Sequence, residues 1–223
     1  MEEIQKDLVG ARLDHVQEYL HKIFSKRVVV IDGAMGTSIQ QALKQGVGQE
    51  VCENKEFCRE NLDMMNITNP EVIQKIHTDF IEAGSDIICT NTFNSQKISQ
   101  QKYGMEDKVF EMNFQGAKIA REVADELSAP DKWILVAGSI GPTTINLSLQ
   151  AEDSDIKFED IKQAYKEQID GLVQGGCNVI LFETIVDLKN FEAGYEAFKE
   201  YFTEHSLEKP PLFVSGTPII DGK

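Results

Sequence analysis

The sequence predicts an α/β fold of the (β/α)8 TIM-barrel type, truncated after about five βα units. Three observations predict it. Short runs of β-branched and apolar residues alternate with longer segments of helical periodicity. Each apolar run ends in a polar residue, namely Asp32, Asn91, Ser139, Glu183 and Ser215. Each helical segment leads straight into the next apolar run, as parallel strands with crossover helices require. A doubly wound sheet uses the same units, but the regular alternation fits a barrel better.

Ile4, Leu8, Leu13, Val16, Leu20, Ile23 and Phe24 form an approximate 3.6-residue stripe. Residues 1–25 are therefore expected as a leading helix, broken near Gly10, that packs outside the first strand. Residues 26–223 are expected as the partial barrel domain. Val28–Ile31 reads as a strand buried on both faces. It delivers Asp32 into a small-residue turn with Gly33 and Gly36, and Ile39, Ala42 and Leu43 then carry helical spacing. Asp32 stands where such folds place their chemistry, although capping the next helix would equally explain an acid there.

The segment 46–69 is polar and weakly periodic, so it reads as a long loop. A helix begins at Asn69-Pro70 and runs over Val72, Ile73, Ile76, Phe80 and Ile81. His77 on that helix is expected to pack or cap rather than to ligate. Gly84 ends the helix, and 86–90 (DIICT) is the second strand. A helix over 109–123 leads to strand three at 133–137, whose exit GSIGPT could bring backbone amides close to a ligand. It lacks both nucleotide fingerprints. A polar stretch, a helix over 161–173, strand four at 178–182, a further helix and strand five at 212–214 complete the chain.

The 223 residues suit one α/β domain or a large part of one, and 41% hydrophobic content supports a core. No run of ~18 apolar residues exists to span a bilayer, and the start has no signal-peptide core. A net charge of −15 argues against nucleic acid or an anionic membrane as partner. Cys52, Cys58, Cys89 and Cys177 form no CxxC pair. Cys89 and Cys177 sit in apolar runs and read as buried thiols of a reducing compartment, so a cytoplasmic location is expected.

The set IDGAMGT (31–37), DIICTNTFNS (86–95), GSIGPT (138–143), LFETIVDLKN (181–190) and VSGT (214–217) resembles the homocysteine S-methyltransferase family. The likeness is to the amino-terminal part of the homocysteine-binding module of cobalamin-dependent methionine synthases. It implies a barrel whose zinc holds the homocysteine thiol as thiolate, which then takes a methyl group to give methionine. By the same resemblance Asp32 and Glu183 would hold the homocysteine amino group. Backbone amides of Gly33, Ala34 and Met35 would receive its carboxylate, and Asn91, Thr92 and Ser215 would line the pocket. The side chains of those last three could equally serve loop backbone.

The family's zinc cysteines belong to later strands, and none of the four cysteines here matches a ligand position. Cys89 stands where the pattern has a glutamate. Zinc and methylcobalamin are thus implied by the family, and neither is expected to be bound by this chain alone. The expected partners are homocysteine and downstream folate- and cobalamin-binding modules. The resemblance leaves two functions open: a methyltransferase portion, or a non-catalytic fragment or assembly piece without the metal half of its site.

Overall fold

In the computed structural model the described residues are 15–47, 60–129, 132–149 and 155–217. Four parallel strands form one sheet in sequence order: β1 (Ile87–Cys89), β2 (Leu135–Ile140), β3 (Val179–Ile185) and β4 (Leu212–Gly216). Eight α-helices accompany them among the described residues. They are α1 (Val16–Phe24), α2 (Met35–Lys44), α3 (Met65–Thr68), α4 (Pro70–Glu82), α5 (Lys97–Gln100), α6 (Val109–Leu127), α7 (Phe158–Gly175) and α8 (Leu188–Glu204). This is the α/β arrangement of a partial barrel, with each strand laid beside its predecessor and a crossover helix between.

The two faces of the sheet follow from the period-two alternation of each strand. Ile88, Val136, Ile180 and Phe182 point to one face and meet Ile169 and Leu172 of α7 and Ala197 and Phe198 of α8. This is the outer helical layer, in which α6 packs on α7 and α7 on α8. Ile87, Leu135, Ala137, Val179 and Leu181 point to the other face, the inside of a barrel.

That inner face is covered by α1, whose Val16, Leu20 and Ile23 pack onto it. The leading helix therefore lies inside the curve of the sheet, not outside the first strand as the periodicity suggested. The reason is the apolar surface available: the outer face is already filled by α6–α8, while the inner strand residues need a partner. Leu181 is accordingly only 7% exposed. Residues 1–14, including Gly10, lie outside the described residues.

Val28–Ile31, expected as the first strand, forms no regular ladder. It runs parallel to β1 with a single bridge, Ile31 to Ile87. Its Val30 N–H donates to the Asp86 carboxylate at 2.9 Å, and Val30 O accepts from Asp86 N at 2.8 Å. A side chain thus takes the place of one rung of the ladder. Val28 is 83% exposed, so this run is not buried on both faces.

The segment 46–69 is not simply a loop. Leu62–Met64 forms a 3₁₀ turn that runs into α3, and Asn61, Asp63, Met65 and Asn66 are buried. Residues 48–59, with Cys52 and Cys58, lie outside the described residues, as do 150–154 of the second polar stretch. Ser148 of that stretch donates through its backbone N–H and its hydroxyl to Asp187, at 2.8 and 3.0 Å. Asp187 also caps α8 by accepting from Lys189 N at 2.8 Å. No helix among the described residues is long and apolar enough to cross a membrane.

His77 is fully buried on α4, and neither ring nitrogen has a hydrogen-bond partner. Burial lowers its pKa from 6.5 to about 4. The unfolded chain therefore binds the proton in a range where the folded chain does not. The stability cost is absent above pH 6.5 and grows as the pH falls toward 4, by about 1.4 kcal/mol per unit. Buried Asp63 acts in the opposite sense, since burial raises its pKa from 3.8 to about 6 and folding gains as it protonates. Comparing variants at the same pH cancels that contribution. His77→Leu is expected to stabilise the fold at pH 7, because it removes two unpaired buried nitrogens. The gain is expected to widen by roughly 2–3 kcal/mol at pH 4.5. Urea denaturation of both proteins at the two pH values measures it, and a gain that does not widen refutes the assignment.

Candidate functional site

A cavity of about 380 Å³ opens at the carboxyl ends of the strands. Its wall is built from the turn 32–37, the buried turn at Leu62 and Asp63, the exit of β1, and the tips of β2 and β3. This is the face where parallel α/β folds gather ligand-binding residues.

Asp32 reaches it because its backbone N–H donates to Ile87 O at 2.9 Å, holding the end of the 28–31 segment against β1. The Asp32 carboxylate then accepts from Cys89 N at 2.9 Å. Two residues on, Ala34 has φ 53°, a left-handed conformation that turns the chain into α2. Glu183 arrives at the end of β3, where the register against β4 shifts between Phe182 and Ile185 and Thr184 takes φ 59°. The Ser139 hydroxyl on β2 donates to the Glu183 carboxylate. Both acids are thus followed closely by a non-glycine residue in the left-handed region, a conformation that costs of order 1 kcal/mol and clusters at functional sites.

The cavity has a strongly acidic character. Asp32, Glu183, Asp63 and Glu60 line it, and among the described residues no lysine, arginine or histidine does. Burial pushes the Asp32 carboxyl up to about 6, hydrogen bonds from Cys89 oppose that rise, and the Glu183 charge adds to it. The Cys89 thiol, between the same two acids, is pushed well above the usual thiol range by burial and by their charges. Cys89 is half-buried and faces the cavity, whereas Cys177 is buried under β2. A site of this kind stabilises a cation, and the free N–H groups of the first turn of α2 offer a place for an anion beside it.

Asp32, Gly33, Ala34, Met35, Asn91, Thr92 and Glu183 all line this one cavity. Ser215 does not: it is exposed on β4, away from the lining residues. The side chains of Asn91 and Thr92 are engaged with backbone. Asn91 Nδ2 donates to Leu62 O at 2.9 Å, and the Thr92 hydroxyl donates to Ser139 O at 2.8 Å. The glycines of GSIGPT serve packing: a Cβ at Gly138 would lie 2.9 Å from Leu172 Cδ1, and one at Gly141 would lie 2.6 Å from Phe93 O.

Sequence reasoning did not assign Ser139, Asp63 or Glu60 to the site. Ser139 carried a signal, since it occupies a strand tip beside Asn91 and Glu183. Asp63 and Glu60 carried none, because their segment has no readable periodicity. Among the described residues no group of three or more histidine, cysteine, aspartate or glutamate side chains could hold a metal ion. The donors among the described residues do not fit a zinc site: Cys89 and Cys177 lie on different elements, and no described histidine lines the cavity.

Residues 29–221 match the homocysteine S-methyltransferase family. Among solved structures, the homocysteine methyltransferase MmuM from Escherichia coli is similar in several forms. Its oxidized and metallated forms are 21% and 22% identical, each with a TM-score of 0.64, covering 82% of this chain and 62% of that one. Its apo form is 19% identical, with a TM-score of 0.59, covering 87% of this chain and 61% of that one. At these identities the likeness establishes the fold, and the chain spans about three-fifths of the length of those structures.

Under the cavity, Asn66 Nδ2 donates to Asn91 O at 2.7 Å and reaches Met112 O at 3.1 Å across α6. Gly116 of α6 makes that approach possible, since a Cβ there would lie 2.6 Å from Asn66 Nδ2 and 2.7 Å from Thr92 Cγ2. Gly116→Ala is therefore expected to destabilise the chain by about 1–3 kcal/mol despite alanine's higher helix propensity. A thermal melt at unchanged or higher midpoint would show that the loop yields freely.

Proposed function

We propose, from the premise that the chain belongs to the homocysteine S-methyltransferase family, that its acidic cavity binds the amino-acid end of homocysteine. Methyl transfer to homocysteine is the family's activity. What these residues contribute to it is recognition of the acceptor. The observation that carries the reading is the convergence of Asp32 and Glu183 on one 380 Å³ cavity whose described lining residues include no basic side chain.

An α-amino acid presents an ammonium and a carboxylate on one carbon. The ammonium lies between Asp32 and Glu183, each giving a charge-assisted hydrogen bond. It also relieves the repulsion between the two carboxylates. The carboxylate faces the first turn of α2, at Gly33, Ala34 and Met35, where unpaired N–H groups and the helix dipole favour negative charge. Ser139 holds Glu183 in place by its hydroxyl, and Cys89 N does the same for Asp32. The substrate sulfur then extends away from the acids, toward the open part of the mouth.

The described residues do not fit the family's zinc, so no step is routed through it here. The cavity is also too small to enclose a corrin ring, so methylcobalamin, if it is the donor, belongs to another module. The domain division is a leading segment to residue 25 and a partial barrel from 26 onward, consistent with a family match that begins at residue 29.

Titration of L-homocysteine into the chain, followed by NMR chemical shifts, tests the reading. Glu183→Gln and Asp32→Asn are each expected to weaken binding roughly tenfold or more, the equivalent of about 1.4 kcal/mol. Neither is expected to weaken 4-mercaptobutanoate, which lacks the amino group. Homocysteine binding is also expected to weaken as the pH falls through about 6, where Asp32 takes up its proton. Equal losses for both compounds would mean that the acids do not read the ammonium.

A further inference from the structure

A second cavity, of about 550 Å³, lies at the opposite end of the strands, between α1 and the residues that lead into β2. It belongs to none of the acid-lined machinery described above, and its chemistry is inverted. Lys22, Lys26, Arg27 and Lys132 line it, with Glu18 the acid among the lining residues. This concentration occurs in a chain whose net charge is −15, so it is not a sample of the average surface.

The four cations are not equivalent. Arg27 is committed, because its guanidinium pairs with Asp86 through two hydrogen bonds of 2.6 and 2.7 Å. Among the described residues, Lys22, Lys26 and Lys132 have no carboxylate partner within ion-pair distance. Glu18 lies 3.6 Å from His15. Three ammonium groups thus line one cavity without a contact ion pair, Lys132 acting only at longer range on the Asp86 carboxylate that Arg27 already holds.

Beside them stands an aromatic platform. Tyr19 and Trp133 stack with centroids 4.8 Å apart and planes at 22°. The pair is locked by two hydrogen bonds, from Trp133 N to the Tyr19 hydroxyl at 2.9 Å and from that hydroxyl to Trp133 O at 3.1 Å. The indole nevertheless stays 41% exposed, and no described residue engages its N–H. A fixed, half-exposed indole beside unpaired ammonium groups suits a flat ring that carries anionic groups. The cavity's size is that of a small-molecule site, typically about 300–1,000 Å³. The strongly negative chain disfavours a long polyanion, so a free small molecule fits better than a nucleic acid strand.

We propose that this cavity binds an aromatic anion of the nucleoside phosphate class, its phosphates on Lys22, Lys26 and Lys132 and its ring against Trp133. The site is independent of the homocysteine reading, since it shares no residue with the acidic cavity.

Trp133 is the single tryptophan of the chain, so its fluorescence reports on the cavity alone. The chain is titrated with ATP in metal-free, low-salt buffer, and separately with inorganic triphosphate and with adenosine. A saturable fluorescence change with ATP is expected, with weaker binding of either component and an affinity that falls as salt is added. Lys26→Glu combined with Lys132→Glu is expected to weaken ATP at least about tenfold while leaving the circular dichroism melt unchanged. Asp32→Asn should bind ATP like the parent, which separates this site from the acidic one. Trp133→Phe, followed by calorimetry, should weaken ATP less than the charge reversals do. The proposal is overturned if ATP gives no saturable signal by fluorescence and calorimetry, or if the double reversal binds within about twofold of the parent. It is equally overturned if triphosphate or polyglutamate binds as tightly as ATP, because the aromatic half would then contribute nothing.

Discussion

The ion pair between Arg27 and Asp86 is the constraint on which the acidic cavity depends. Asp86 is almost fully buried, and its carboxylate takes both guanidinium N–H groups of Arg27 and the backbone N–H of Val30. The Arg27 guanidinium hydrogen-bonded to it holds the Asp86 carboxyl below the usual range. One side chain therefore fastens the 28–31 segment to the start of β1, where a regular ladder is missing. Everything downstream inherits that register: Ile31 bridges Ile87, Asp32 N bonds Ile87 O, and Cys89 N reaches the Asp32 carboxylate. Removing either partner would leave a charge, buried in the case of Asp86, without its counter-ion, and such losses cost more than the intact pair contributes.

Behind the mouth, a set of buried amides carries out the second task of holding irregular backbone in place. Asn66, Asn113 and Gln168 each donate to carbonyl oxygens of the 91–95 stretch, and the Asp63 carboxylate accepts from Asn94 N and Ser95 Oγ. Loop backbone buried away from water must find partners, and here three helices supply them. Asn113 Oδ1 and Gln168 Oε1 are left without a partner themselves, so the network is optimised for the loop and not for its own side chains.

Sheet order and the outer helices were readable because β2, β3, α4 and α6–α8 carry clean periodicities over apolar runs long enough to distinguish a period of two from one of 3.6 residues. The four-residue α5 is too short to show one. Asp32 and Glu183 were readable because an acid directly after an apolar run has to leave the core. The position of α1 was not. Its stripe of Val16, Leu20 and Ile23 announces a buried face but not which side of the sheet will accept it, and that choice depends on what α6–α8 have already covered. Val28–Ile31 looked like the best strand of the chain by composition, yet its pairing is set by a carboxylate 56 positions away. Ser215 and Ser139 occupy equivalent strand tips in the sequence, and only the tertiary path of β4 separates them.

The strictly sequential sheet bears on how the molecule is made. Ile87 pairs with Leu135, Ala137 with Val179, and Ile180 with Leu212, so every strand docks on the one synthesised just before it. A ribosome releases the chain from its amino terminus at roughly 5–20 residues per second, slow compared with helix formation. Each emerging βα unit thus meets a completed edge instead of waiting for a distant partner. The sheet can be laid down vectorially, one crossover at a time, with the exposed edge always at the newest strand.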